Sequence, residues 1–262
     1  MTTTDGPGAT LDLTPAPGAA PMWRMVAAQA GAEVKATLRN GEQLLLTLII
    51  PVLLLTGFSA APLLDLGTTR RVDFLTPGVL ALAVMSTAFT GQAIATGFER
   101  RYGVLKRLGA TPLSRGGLML AKTLAVLVVE AVQVVVIVAV AFALGWQPRG
   151  FLPTAILLIV LGTAAFSGLG LLMAGTLRAE ATLAGANLVY LILLACGGVV
   201  FPLTDFPGGV QPALELLPIS ALAGGLRAVL ADGAALPTVS VAVLACWAAA
   251  SLALAARTFR WE

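Results

Sequence analysis

Glu130 is an acidic side chain deep within a hydrophobic run, Leu118–Leu144, with Gln133 less than a helical turn away. An ionised carboxylate in hydrocarbon costs several kcal/mol, so it must face a bundle interior, a wet cavity or a partner. Two readings follow: these residues line a path through the protein, or they hydrogen-bond two helices together. Asn187, beside Gly185 in another apolar run, is placed to bond across a helix interface. Lys122 precedes Glu130 by about 12 Å along a helix axis, which makes direct pairing doubtful.

Little other chemistry is on offer. The chain has no histidine, which removes His-dependent triads, haem ligation and most zinc sites. Cys196 and Cys246 are too few for a disulfide framework or a four-ligand metal cluster, and both sit in apolar runs as inert packing residues. No G-x-x-x-x-G-K-[ST] occurs, so there is no P-loop, and Gly168-Leu169-Gly170 inside an apolar run reads as helix packing. The apolar runs lack the clustered aspartates of a metal-dependent lipid transferase. No catalytic residue, metal site or cofactor is therefore expected on this chain, and no nucleic-acid partner.

The elements that position these residues follow from composition. Of 262 residues 58% are hydrophobic and 11% charged, with mean hydropathy +0.94; a soluble domain carries about 25% charged residues. Lipid is the main solvent, and the fold class expected is an all-α membrane protein. Six runs are long enough to cross roughly 30 Å of hydrocarbon: Leu44–Pro62, Leu75–Phe98, Leu118–Leu144, Phe151–Leu177, Ala181–Leu203 and Leu236–Ala256. Pro51 should kink the first, and Arg178-Ala179-Glu180 leaves only a tight turn between the fourth and fifth.

Before them, residues 1–21 are proline-rich and read as a disordered tail, with no apolar core of a signal peptide. Residues 22–40 place Trp23, Val26, Ala27, Ala30, Val34 and Leu38 on one face and Arg24, Lys35 and Arg39 on another. Such a helix lies in the membrane interface, or packs as an ordinary amphipathic helix. Residues 41–262 form the six-span domain. Twelve of the sixteen basic residues fall on the side of the termini and four on the other, so both termini are expected in the cytoplasm.

The longest cytoplasmic loop runs from Glu99 to Ser114. In it Tyr102, Leu105 and Leu108 share one face of a short helix, Gly109 is a left-handed stop, and Thr111-Pro112 reads as N-cap and first position of the next helix. This is a docking surface for a cytoplasmic partner, or only the basic flank of a span. Residues 204–235 are too polar and proline-broken for a further span. Leu214–Leu217 and Ile219–Leu230 suit short re-entrant external helices that gate a path or simply connect two spans. Phe89, Phe98, Phe166 and Phe201 line a path for an apolar substrate, contact lipid or pack in the core.

The glutamate, the basic residues, Gly103 and the run Leu105-Lys106-Arg107-Leu108-Gly109-Ala110-Thr111-Pro112-Leu113-Ser114 resemble the cytoplasmic loop of ABC-2 type transporter permeases. The resemblance extends to the interfacial helix, the six spans and the Pro-rich segment Phe201-Pro202-Leu203-Thr204-Asp205-Phe206-Pro207, and is nearest to the daunorubicin-type drug exporters. It implies that Glu99, Arg100, Arg101, Tyr102, Gly103, Leu105, Lys106, Arg107, Leu108 and Gly109 couple to a separate ABC ATPase, present in two copies and carrying ATP and Mg. It implies a second permease copy flanking the substrate path, a lipid-surrounded multi-pass protein of the bacterial cytoplasmic membrane, and drug-like or lipophilic cargo moved outwards. Phe201, Pro202, Asp205 and Phe206 are the candidate external gate. The rival reading is a secondary transporter using Glu130 as a proton or substrate site; no internal repeat supports it.

Overall fold

The computed structural model describes residues 18–60, 71–199, 203 and 206–258. Among these the regular elements are helices: α1 (Met22–Arg39), α2 (Gly41–Ala60), α3 (Arg71–Val84), a π-helical segment (Met85–Gly91), α4 (Gln92–Arg101), α5 (Val104–Gly109), α6 (Arg115–Ala143), α7 (Leu152–Thr176), α8 (Ala179–Cys196), α9 (Gln211–Glu215), α10 (Pro218–Leu230) and α11 (Thr238–Thr258). Five of the described helical runs are long and apolar enough to cross a membrane: Arg71–Arg101, which joins α3, the π segment and α4, then α6, α7, α8 and α11. Thr47–Ala60 within α2 and Pro218–Leu230 are shorter apolar helices.

The expected runs and the helices agree in place and differ at their ends. The second run starts at Arg71 and continues through a π-helical segment to Arg101. The fifth ends at Cys196 rather than Leu203. Gly197 abuts Ile219 so closely that a Cβ would not fit, and Gly198 turns at φ +65, a conformation that ends the helix against α10. The apolar part expected at Leu214–Leu217 is a single short turn of helix at Gln211–Glu215, and Ile219–Leu230 lies within α10.

The core runs along α3, the π segment, α7 and α10. Phe89, Phe166, Leu80, Met85, Leu158 and Ile219 are all withdrawn from the surface, so Phe89 and Phe166 pack in the core. Phe201 lies outside the described residues. Without a hydrophobic force between helices in lipid, close packing of small residues holds the bundle. Gly168 faces Ser251 of α11 with no room for a Cβ, and Gly170 lies against the Phe89 and Ala88 carbonyls of the π segment. Ser251 Oγ donates to the Ala165 carbonyl at 3.1 Å across the same contact. The Gly168-Leu169-Gly170 run is thus a packing surface. Cys196 is half-buried at the end of α8, whereas Cys246 lies on the exposed face of α11 and is no interior packing residue of this chain.

Candidate functional site

α6 starts where Ser114 Oγ accepts a hydrogen bond from Gly117 N at 3.0 Å, the usual way an N-cap satisfies a free backbone donor. The cap is Ser114, three residues after the expected Thr111. The Thr111 hydroxyl instead donates to the Leu108 carbonyl at 2.6 Å, closing the turn after α5. With the helix phased from Ser114, Lys122 points inwards and is only 3% exposed.

A buried ammonium costs several kcal/mol unless it is paired. Lys122 Nζ lies 2.8 Å from Glu33 Oε1 and 2.7 Å from Glu99 Oε2. Gln29 Nε2 donates to the same Glu33 oxygen at 2.8 Å. One lysine of α6 therefore joins α1 and α4. Glu33 escaped the sequence reading, although its signal was present: it falls on the stripe of α1 that holds Val26, Ala30 and Thr37, the face turned from solvent. Trp23 and Leu38, expected on the apolar face with Val26, are exposed.

Glu99 begins a run of three residues that each hold a different neighbour. The Arg100 guanidinium donates to the Leu177 carbonyl at the C-terminal end of α7, where the helix dipole favours a cation. Arg101 pairs with Glu180 in the first turn of α8. Both members of that last pair are more than half exposed, so it positions more than it stabilises. The final turn of α4 is thereby tied to α1, α6, α7 and α8, directly before the chain enters α5.

The loop itself differs from the sequence expectation. The left-handed residue is Gly103, at φ +72, which reverses the chain between α4 and α5; Gly109 is the last helical residue, and Ala110 follows at φ −82. Leu105 is wholly buried in a cluster with Val26, Leu113 and Leu118, and Leu108 packs at its edge. Tyr102 is not on their face: it stands in the turn before α5, is 70% exposed, and stacks on Phe98 with centroids 6.1 Å apart. The outward surface of the loop is Tyr102, Val104, Lys106 and Arg107.

Above Lys122 a cavity of ≈ 70 Å³ opens between α1, α2, the π segment, α4 and α6, lined by Glu33, Thr47, Thr87, Gln92, Thr96 and Lys122 among others. Two of its lining residues hold Gln133, whose amide nitrogen donates to the Thr47 carbonyl and whose oxygen accepts from Thr87, both at 2.9 Å. Glu130 is on a different face of α6, 2% exposed, and accepts a hydrogen bond from the Thr163 hydroxyl of α7. Asn187 lines a second groove of ≈ 200 Å³ with Ser86, Thr90 and Tyr190. Its amide donates at 2.9 Å to Leu183 of its own helix, rather than across an interface.

At the opposite end of the bundle, Phe201, Pro202 and Asp205 lie outside the described residues. Phe206 is half-buried, and its carbonyl accepts from Gln211 Nε2 at 2.7 Å. The feature the sequence reading passed over is Arg227 of α10. It donates to the Gly198 carbonyl at 2.6 Å, to Val199 at 2.7 Å and to Phe74 at 3.4 Å, with its guanidinium carbon 4.0 Å from the Phe74 ring centre. An arginine that binds three carbonyls and a ring at once fixes α10 against the start of α3 and the end of α8.

A family model described as ABC-2 type transporter matches residues 27–231. No curated protein matches the chain.

Proposed function

The chain belongs to the ABC-2 type transporter family and is a multi-pass permease subunit of an ABC-type transporter; from that premise we propose that it exports a drug-like or lipophilic substrate, driven by separate ATPase subunits that dock on the α4–α6 loop. The observation that carries this reading is the run Glu99-Arg100-Arg101, whose three side chains hold α6 with α1, α7 and α8 immediately before α5. A push on α5 would pass through these ties to α1, α4, α6, α7 and α8 rather than stay in one loop. A partner shifts such an equilibrium only if it binds the two states differently, and the exposed Tyr102, Val104, Lys106 and Arg107 offer the surface on which it does so.

The set expected to contact the ATPase thus divides by role. Tyr102, Lys106 and Arg107 meet the partner, Glu99, Arg100 and Arg101 transmit its motion, Leu105 and Leu108 anchor α5, and Gly103 and Gly109 bound it. The basic surface at this end is cytoplasmic, both termini share that side, and α2 completes six spans in the bacterial cytoplasmic membrane. ATP and Mg reside on the partner, present in two copies.

The groove with Ser86, Thr90, Asn187 and Tyr190 supports a substrate path closed by a second permease copy, since polar groups at membrane depth need covering. Glu130 and Gln133 serve as interhelix bonds, because each is already held by a threonine of a neighbouring element. The external segment with Phe201, Pro202, Asp205 and Phe206 gates the outer end, supported by the Arg227 attachment of α10.

The test is to express the chain with its cognate ATPase and measure co-purification and ATP hydrolysis for Lys106→Glu/Arg107→Glu. The proposal expects both the complex and the stimulated hydrolysis to be lost while the permease stays folded. An intact complex with full transport would refute it.

A further inference from the structure

The Glu33–Lys122–Glu99 cluster holds two partly buried carboxylates, 18% and 24% exposed, around one ammonium that is 4% exposed, an odd sum. The described charged groups that meet there are Glu33 from α1, Glu99 from α4 and Lys122 from α6. Thr47 of α2 and Thr87 of the π segment face the same space and are neutral. Arg100 and Arg101, next to Glu99 in the chain, turn away to Leu177 and Glu180, and Lys35 and Arg39 are on the exposed side of α1. An unbalanced charge in a partly desolvated site is costly and is relieved by one more positive charge.

The adjoining cavity has the means to hold it. Its ≈ 70 Å³ exceeds the roughly 10–15 Å³ a water needs. Two side chains that line it, Thr96 through its hydroxyl and Gln92 through Nε2, are buried and lack any hydrogen-bond partner. Buried polar groups are seldom left so. The threonine hydroxyl is a hard oxygen ligand of the kind alkali cations favour, and the Gln92 amide needs an oxygen acceptor, which a water on the ion supplies. The Glu33 carboxylate, which lines the cavity, is the charged partner.

We propose that the cavity beside Lys122 binds one exchangeable monovalent cation, a hydrated proton or an alkali metal ion, that neutralises the cluster joining α1, α4 and α6. The ion then sets how tightly the last turn of α4 is held. This assignment stands apart from ATPase docking, and its failure leaves that reading intact.

The test uses the purified full-length chain in nanodiscs and reads its thermal unfolding midpoint in Na⁺, K⁺ or N-methylglucamine chloride at constant ionic strength, at mildly acidic and mildly alkaline pH. An alkali ion raises the midpoint by about 3–5 °C for each tenfold rise above its dissociation constant. If the proton is the ion, Na⁺ and K⁺ have no effect, and the midpoint falls on going to alkaline pH more in the wild type than in Glu33→Gln. Glu33→Gln makes the cluster neutral and removes whichever dependence the wild type shows. Thr96→Val, which changes no charge, weakens it. The proposal is overturned if the wild type responds to neither ion nor pH, or if it and both variants respond alike.

Discussion

The Lys122 ammonium lies 2.7 Å from the Glu99 carboxylate, joining the third turn of α6 to the last turn of α4 in a place where the lysine is almost wholly withdrawn from solvent. Since Glu33 holds the same ammonium from α1, this pair is the pivot of the cytoplasmic end proposed here. Removing the lysine strands two carboxylates. Lys122→Met should destabilise the protein by about 3 kcal/mol, read as a lowered unfolding midpoint, and Glu99→Gln in the same chain should recover part of the loss.

Leu105 and its exposed neighbours should behave oppositely. Leu105→Asp places a charge in the cluster with Val26, Leu113 and Leu118 and should abolish folded protein in size-exclusion chromatography. Tyr102→Asp, at an exposed site, should leave the elution profile unchanged and reduce ATPase binding in a pull-down.

Arg227 is expected to tolerate no replacement. Arg227→Lys keeps the charge but loses the planar fork that reaches Gly198, Val199 and Phe74 together. Transport by this variant should fall toward that of Arg227→Ala, with the ATPase still bound. Wild-type transport by Arg227→Lys would mean the fork is not needed.

The α7–α11 contact gives a stability prediction with an internal control. Gly168→Ala meets Ser251 Oγ and, at 2.8 Å, the backbone nitrogen of Leu252, and should cost about 1–3 kcal/mol through overpacking. Ser251→Gly combined with it should restore part of that loss, seen as a positive coupling in a thermal double-mutant cycle.

Hydropathy made the helices of this bundle readable, because a span must be apolar for its whole length and charge must gather outside it. Ends were less readable. The close approach of Gly197 to Ile219, which stops α8 early, depends on a residue more than twenty positions away. The loop residues were found by their type, yet their roles depend on the phase of α5 about its axis. Gly103 rather than Gly109 sets that phase, and Leu105 is turned inwards as a result. Glu33 and Lys122 remained separate in the sequence because eighty-nine positions divide them, and no local pattern announces a pair at that distance. Glu130 was conspicuous by contrast, since a lone carboxylate in an apolar run needs no partner to be noticed.

If an ATPase partner engages the α4–α6 loop, Glu99, Arg100 and Arg101 carry its motion into the bundle. The most direct measurement is ATP hydrolysis by the reconstituted complex, with and without substrate, for Arg100→Ala/Arg101→Ala. The partner should still bind and hydrolyse ATP while substrate stimulation and transport are lost. Transport at the wild-type rate, with unchanged substrate stimulation, would contradict it.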